Sequence, residues 1–441
     1  MELPDNILIV GLGASGIASA RFLHGMGKQI AIADEKDEAA MAPVLKSLNG
    51  IGFTGYFGPH RAEDFLQYPL IVVSPGVDSE LPALKEARAK GARVIGEMEL
   101  AYTFLDEPVI AITGTNGKTT TTTLIGEIFR KAFGDVFVGG NIGNPLINYV
   151  LEGKKARYVI VEISSFQLET METFRANTAI LLNITEDHLD RYRSYDEYRV
   201  AKYRVFERQT EKDYAVIIDG LEAPRDGKAR VLPFGAARQL EEGAFAEDGE
   251  LHVRLDGKEF LYPRDLSPLP GIHNTENILA ALLTAHIYGI DQATTSAALR
   301  EFKGLPHRVE LVRELNGVRY YNDSKATNVD ATKRALENIE GSVILIAGGK
   351  DKGGSYRAIA DVAHKIKILI VIGEAKDKIV SELGGYVVIY KEDDMEGAVR
   401  TAREVAESGD IVLLSPMCSS FDMFTDYKDR GNTYRKMVES L

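Results

Sequence analysis

The chain has 441 residues, 45% of them apolar and 27% charged, with a formal net charge of −13 and a single cysteine, Cys418. That length predicts two or three domains with cores of their own. The acidic balance argues against a broad nucleic-acid surface, and the lone cysteine excludes an intrachain disulfide and fits a reducing cytoplasm. No apolar run is long enough to span a bilayer, and the opening MELPDNILIVGLG lacks the basic flank of a secretory signal. A cytoplasmic enzyme with no membrane association is the expectation.

In chain order, residues 6–10 (NILIV) form an apolar run ending at glycines, and a helical pattern follows over 17–27. Apolar runs at 30–33, 70–73 and 94–95 alternate with helix-like stretches such as LPALKEARAKGA. This alternation predicts a parallel sheet with crossover helices, placed as a first domain at 1–96. The loop after its first strand, Gly11 to Gly16 (GLGASG), opens a helix. Asp34 ends the second strand, about where a dinucleotide site holds its ribose-binding acid. Taken alone, the motif reads as a site for NAD or the phosphates of another nucleotide. The glycines would also serve a tight turn and close helix–strand packing with no ligand at all.

A second series, with strands at 109–113, 158–162 and 178–183, is assigned to 97–302 and contains PVIAITGTNGKTTTT over 108–122. The general phosphate-loop pattern G-x-x-x-x-G-K-[ST] wants a glycine five positions before Gly117, where Ile112 stands; the nearest upstream glycine is Gly114. The turn is two residues short. The strand, the glycine loop, the Lys118–Thr119 pair and a helix with Leu124, Ile125, Ile128, Phe129 and Ala132 on one face nevertheless remain in order. Backbone N–H groups there would cradle phosphate, Lys118 would neutralise it and the Thr119 hydroxyl would ligate Mg²⁺. Glu162, at the end of the next strand, would supply a carboxylate to the same ion. In LLNITEDHLDRY, residues Asp187, His188 and Asp190 predict, with a downstream lysine, a second metal or transition-state site. A capped helix start would explain the acids but not His188. From about 211 to 264 the text becomes short β-like pieces (AVIID, ARVLPF, ELHVRL, KEFLYP), expected as a hairpin-rich insert. The stretch GIHNTENILAALLTAHIYG returns to a helix, with Ile278, Leu282 and Ala285 on one face.

Glycine and proline in FKGLPHR (302–308) predict a linker, and a third alternating series has strands at 319–322, 343–347, 368–372, 387–390 and 411–415. The expected fold class is therefore α/β, with three tandem α/β domains. A Rossmann-like N-terminal domain (1–96) is followed by a P-loop-type central ATPase domain with the hairpin-rich insert (97–302) and a Rossmann-like C-terminal domain (303–441). In the last of these, GLPHR, YYNDSKATN, AGGKDKGG and SPMCSSFDMFTDYKDRG place polar loops at strand ends. Arg308 suits a phosphate, and Asp323, Lys325, Thr327, Lys350 and Lys352 would line one ligand-facing edge.

Taken together, these segments resemble the Mur ligase family over essentially the full chain. The likeness lies in the shortened loop GTNGKTT, the HN..N..AA helix, the LPHR linker and NDSKATN. Within the family, EISSFQLE, TEDHLDR and the SPMCSSFDMF…RG stretch are similar to the D-glutamate-adding member, and the D-N-P-R pattern of the diaminopimelate- or lysine-adding relatives is not found. The resemblance implies ATP-dependent amide ligation through an acyl phosphate in peptidoglycan precursor synthesis, and so in cell wall biogenesis, cell shape and cell division. The implied substrates are UDP-N-acetylmuramoyl-L-alanine and D-glutamate, and the implied enzyme is a monomer using ATP and two Mg²⁺.

Carried over by position, Gly114, Thr115, Asn116, Gly117, Lys118, Thr119 and Thr120 would hold the ATP phosphates, with Asn274 and Asn277 on the adenine side. Arg308, Asp323 and Lys325 would reach ATP from the linker and third domain. Thr119 and Glu162 would share one Mg²⁺; His188 and an N-carbamylated Lys202 would hold the other. Gly13, Ala14, Ser15, Gly16, Asp34, Ser74 and Gly76 would bind the UDP moiety, and Asn141 the muramoyl part. Thr327, Lys352, Ser420 and Phe421 would bind D-glutamate. Three rival readings fit less of the chain. A folylpolyglutamate synthase would not need the first domain, an NAD-dependent oxidoreductase leaves the Lys118 loop without a purpose, and a nucleotide-binding regulator leaves Glu162, His188 and Lys202 idle.

Overall fold

The computed structural model describes residues 3–187, 191–225 and 227–441. The first sheet contains β1 (Asn6–Val10), β2 (Gln29–Asp34), β3 (Phe53–Phe57), β4 (Leu70–Val73) and β5 (Arg93–Gly96). All run parallel, in the order β3-β2-β1-β4-β5. β1 and β4 are apolar runs buried nearly throughout, as strands covered by helices on both faces must be. Because the chain winds outward in both directions from β1, a crevice opens at the C-terminal ends of β1 and β4. The edge strand β3 was not among the expected strands: FTGYF is half-exposed and has glycine at its centre, so it shows no continuous apolar run.

The second sheet has nine strands: β6 (Val109–Thr113), β7 (Val136–Gly140), β8 (Tyr158–Glu162), β9 (Thr178–Leu181), β10 (Tyr214–Ile218), β11 (Arg230–Gly235), β12 (Gly243–Glu247), β13 (Glu250–Leu255) and β14 (Lys258–Pro263). Their order is β14-β13-β12-β11-β10-β9-β6-β8-β7, which sets β6 between β8 and β9. The expected hairpin-rich insert needs correction in its first half. β10 pairs parallel with both β9 and β11, so it extends the main sheet, and antiparallel hairpins occur only through β12, β13 and β14. Short strands broken by glycine and aspartate look alike in either arrangement, because the direction of pairing is decided by the partner strand.

The third sheet runs β15 (Glu310–Leu315), β16 (Val318–Asn322), β20 (Ile411–Leu414), β17 (Val343–Gly348), β18 (Ile366–Ile372) and β19 (Ile389–Lys391). Only β15 is antiparallel to its neighbour. Leu345, Leu369 and Leu413 fill one face of this sheet, and Ile344, Ile370 and Val412 the other.

The chain divides into two compact units. One comprises Met1–Asn183, Arg199–Arg264 and Glu276–Leu299, and so holds the first and second sheets; the other comprises Ile184–Tyr198, Asp265–Thr275 and Arg300–Leu441, and holds the third. Within the first unit, two buried acids on the helix Glu97–Tyr102 join the two sheets. Glu99 accepts hydrogen bonds from the Thr173 amide and hydroxyl and from the Phe174 amide. Glu97 accepts one from the Ile147 N–H at 2.7 Å, while its second oxygen is buried without a hydrogen-bond partner. Burial pushes the Glu97 carboxyl up to about 7, against an unfolded value near 4.5.

An acid whose folded pKa lies above its unfolded one binds its proton more tightly in the folded state. The Glu97 contribution is therefore complete below pH 4.5 and is lost as pH rises through 7. Relative to wild type, Glu97→Gln should gain stability between pH 5 and 8, by about 3 kcal/mol at most. Thermal melts of both proteins across that range check this, and a stability difference independent of pH would disprove it.

Candidate active site

The loops leaving β6, β8 and β9 meet at one end of the second sheet, where β6 lies between the other two. The helix Lys118–Phe133 begins directly after the glycine loop, with Gly117 as its N-cap. Gly117 has a φ of +84°, and a Cβ there would lie 2.2 Å from Asn277 Oδ1, so glycine is required on both counts. Lys118, Thr119 and Thr120 form the first turn of this helix, whose N–H groups have no acceptor within the helix itself, the arrangement that binds anions. The apolar positions expected to face the core do so: Leu124, Ile125, Ile128 and Phe129 are fully buried and Ala132 half-buried.

Asn183, just past β9, holds the shape of the loop. Its Oδ1 accepts from the Asn116 N–H at 2.8 Å, its Nδ2 donates to the Asn116 carbonyl at 3.0 Å, and its own carbonyl accepts from the Thr115 N–H at 2.9 Å. Asn277 Oδ1 accepts from the Thr121 hydroxyl at 3.2 Å. Sequence reasoning assigned Asn183 no role; the only signal was a polar residue closing the apolar run of LLNIT. Lys118 Nζ donates to the carbonyls of Gly114 and Thr115, both at 2.8 Å. Lys202, buried on the helix Tyr195–Tyr203, donates to the same Gly114 oxygen at 2.8 Å. Two ammonium groups thus lie within about 6 Å of each other on one carbonyl.

Glu162, buried at the end of β8, accepts from Asn141 Nδ2 at 2.8 Å through one oxygen. Its second oxygen is buried with no hydrogen-bond partner. A carboxylate oxygen left open beside a phosphate-type loop fits a divalent cation. Among the described residues, no cluster of three or more His, Cys, Asp or Glu side chains stands ready to hold a metal. A cation here would draw further ligands from hydroxyls, phosphate oxygens and water, as Mg²⁺ commonly does. His188 and Asp190 lie outside the described residues.

In the first sheet, Ser74 follows β4 and donates from Oγ to the Gly11 carbonyl at 2.7 Å, closing the crevice floor. A Cβ on Gly16 would lie 2.0 Å from that same carbonyl oxygen, so the helix start can approach the strand only with glycine there. Asp34 accepts from the Leu12 N–H at 3.0 Å, which ties the second strand to the glycine loop. Gly13, Ala14 and Ser15 sit at the start of the helix Ala14–Gly25, and Gly76 lies in the turn after β4. Asn141 belongs to the second sheet, beside Glu162, rather than to this crevice.

In the second unit, the loops after β16, β17 and β20 share one end of the third sheet, and the 3.8 Å contact between Lys352 Nζ and Asp187 Oδ1 lies within this unit. Asp323 is turned inward: it accepts from Ser415 Oγ at 2.8 Å and from the Val309 N–H at 3.2 Å, and burial pushes its carboxyl up to about 7. Arg308 stands between His307 (φ +64°) and Val309 (φ +43°). Left-handed backbone on a β-branched residue stores strain that its surroundings must hold in place, and the Asp323 bond to the Val309 N–H is one such restraint. Lys325 Nζ lies 3.9 Å from the centre of the Tyr427 ring. Ser420 is buried, Phe421 is exposed and Thr327 is half-buried. The helix Ile272–Ile287 carries both Asn274 and Asn277. Asn274 is half-buried and donates to the Pro270 carbonyl, whereas Asn277 is buried against the phosphate-type loop. The two side chains therefore occupy different surroundings.

With this geometry in view, three stretches of the chain match known domain families. Residues 5–96 match the MurD-like N-terminal domain of Mur ligases, 112–285 the Mur ligase middle domain and 307–418 the Mur ligase glutamate ligase domain. A protein of Geotalea uraniireducens named UDP-N-acetylmuramoylalanine–D-glutamate ligase is 48% identical over 447 residues, covering 100% of this chain and 99% of its own length. A protein of the same name from Caldanaerobacter subterraneus subsp. tengcongensis is 41% identical and covers both chains completely. Among solved structures, UDP-N-acetylmuramate-alanine ligase MurC from Thermotoga maritima aligns with a TM-score of 0.61 at 20% identity, covering 99% of each chain. The MurF ligase of the same organism, solved in complex with ADP, aligns with a TM-score of 0.60 at 18% identity, covering 86% of this chain and 99% of its own.

Proposed function

The chain belongs to the Mur ligase family, and from that premise we propose that it joins D-glutamate to UDP-N-acetylmuramoyl-L-alanine at the expense of ATP, forming ADP. The observation that carries this reading is the end-to-end match to relatives bearing that name. The phosphate-type loop, with Glu162 beside it, supports the ATP half of the reaction.

The chemistry needs a carboxylate made electrophilic. An oxygen of the alanyl carboxylate attacks the γ-phosphorus of ATP, forming a new P–O bond as the bond to ADP breaks. The deprotonated nitrogen of D-glutamate then attacks the acyl carbon, and the tetrahedral adduct collapses with loss of inorganic phosphate. Both steps bring anions together, so cations and backbone N–H groups must be positioned in advance. Gly114 to Thr120 would bind the ATP phosphates, with Lys118 opposing the charge that develops on the transferring group. Thr119 and Glu162 would hold Mg²⁺, which would neutralise phosphate charge and fix phosphate geometry. Lys202 would serve a second Mg²⁺ site as its N-carbamate, with His188; a carbamate replaces one of the two crowded cations at the Gly114 carbonyl by an anion.

The first sheet, within 1–96, would hold the UDP moiety at Gly13 to Gly16, Asp34, Ser74 and Gly76. Asn141 would contact the muramoyl part and would also orient Glu162. The third sheet, within 303–441, would bind D-glutamate through Thr327, Lys352, Ser420 and Phe421. From the same segment Arg308, Lys325 and the loop anchored by Asp323 would face ATP. Asn274 and Asn277, within the central 97–302, would complete the nucleotide site. Among the described residues, no helix is long and apolar enough to cross a membrane. A cytoplasmic monomer acting on these small molecules, with no nucleic-acid partner, completes the reading.

The test is phosphate release with ATP, Mg²⁺, UDP-N-acetylmuramoyl-L-alanine and a panel of D- and L-amino acids. Release should require D-glutamate. Equal rates across the panel, or turnover without the nucleotide-linked substrate, would sink the assignment.

A further inference from the structure

The bulkiest fully buried side chain among the described residues is an arginine, Arg430, in the first turn of the helix Tyr427–Ser440. Burial lowers its pKa only to about 10, so the guanidinium remains charged at neutral pH. Its hydrogen bonds go to neutral acceptors. Nε donates to Ser324 Oγ at 3.0 Å and Nη2 to the Ser324 carbonyl at 2.9 Å; Nη1 donates to the carbonyls of Cys418 at 3.1 Å and Ser419 at 3.3 Å. An ion buried this way costs several kcal/mol of desolvation, which an apolar side chain of similar volume would avoid. A cation in this place therefore calls for a reason beyond filling the core.

The reason lies in what the guanidinium joins. Ser324 sits in the loop after β16 that leads to Thr327, and Ser419 directly precedes Ser420 and Phe421 in the loop after β20. The Ser419 carbonyl also accepts from the Lys350 N–H at 2.9 Å, and the Ser419 N–H donates to the Lys350 carbonyl at 3.2 Å. The loop after β17, which carries Lys352, is thereby drawn into the same junction. Beyond their strand ends these loops are joined by isolated backbone bonds, the Lys350–Ser419 bridge and the Met417 N–H on the Ala326 carbonyl, and a planar fork of donors with fixed geometry adds to them.

We infer that Arg430 is a positioning residue for the amino-acid half of the reaction, setting the mutual register of the three loops that bind D-glutamate. The inference rests on the ligase reading above. Arg430 touches no reacting atom; it acts through Ser324 and Ser419.

The test compares wild type with Arg430→Met and Arg430→Lys in two assays. One measures KM for D-glutamate, ATP and UDP-N-acetylmuramoyl-L-alanine. The other traps the acyl phosphate with hydroxylamine in the absence of D-glutamate. Arg430→Met should raise KM for D-glutamate at least tenfold while hydroxamate formation stays within twofold of wild type. Arg430→Lys should fall between them, because a compact ammonium keeps the charge and some of the bonds but lacks the planar fork that reaches Ser324 and Ser419 in fixed geometry. An unchanged D-glutamate KM, an equal loss in both assays, or unfolding of both variants would each overturn the inference, the last by making Arg430 a stability element. Failure of the ligase reading itself would be visible earlier, in a wild type indifferent to D-glutamate, and would remove the premise.

Discussion

Replacing Lys118 by alanine is expected to cut ATP-dependent phosphate release roughly 10³-fold, the loss typical of removing a preorganised charge from a site of developing negative charge. The fold should survive. The loop does not depend on the lysine for its shape: Asn183 holds Asn116 from both sides, and Asn277 sits against Gly117. Lys118 is half-buried and donates to the carbonyls of the buried Gly114 and Thr115, and Lys202 still donates to the Gly114 carbonyl in its absence, so its loss should cost about 1 kcal/mol of stability. The prediction therefore separates the two roles. Phosphate release and thermal unfolding are measured on the same preparation, and near-normal turnover would remove the loop from the chemistry. A collapse in stability would show that the lysine mainly braces the loop.

The second large effect is expected at Lys202, where alanine should lower turnover on the order of 10²-fold or more, the scale seen when a metal-site ligand or its support is removed. The geometry raises a question that chemistry can answer. Lys202 and Lys118 donate to the same Gly114 carbonyl, so two like charges share a buried oxygen. At that separation their repulsion is appreciable in a medium less polar than water. Conversion of Lys202 to a carbamate would exchange repulsion for attraction and supply an oxygen ligand. Activity should then rise with bicarbonate, native mass spectrometry should show one added CO₂, and Lys202→Arg should be nearly as impaired as Lys202→Ala despite keeping its charge. If Lys202→Arg retained full activity, the residue would be acting as a cation and the carbamate would be excluded.

The sites differ in how much of them a reader of the sequence could find. The Lys118 loop was fully legible because all of its parts are contiguous: strand, glycines, lysine, threonine and helix occupy 108–133 and are joined by local backbone geometry. Glu162 was legible for a related reason, since a buried strand ending in a carboxylate delivers it to the same sheet edge. Asn183 was not, because its bonds to Asn116 span 67 residues of chain. The contact between Thr121 and Asn277 spans 156. Asp323 shows the limit most clearly. Its neighbours in NDSKATN suggest an acid facing a ligand, yet the folded chain turns its carboxylate inward onto Ser415 and the Val309 N–H. Arg430, in DRG, belonged to a matching motif but had no role of its own until burial and three acceptor residues gave it a place.

By itself, the sequence determined the succession of α/β segments, the phosphate-type loop despite its two missing residues, and the family to which the whole chain belongs. All of these depend on residues close in the chain or on motifs kept in order along it. Only the tertiary structure decided which polar groups remain open to a ligand and which are consumed in holding loops together. Glu162 keeps a buried oxygen without a partner, while Asp34, Asp323 and Asn277 are engaged by their neighbours. A hydrogen-bonding group has few positions to fill, and which partner fills them depends on strands and loops that meet only when the sheets form.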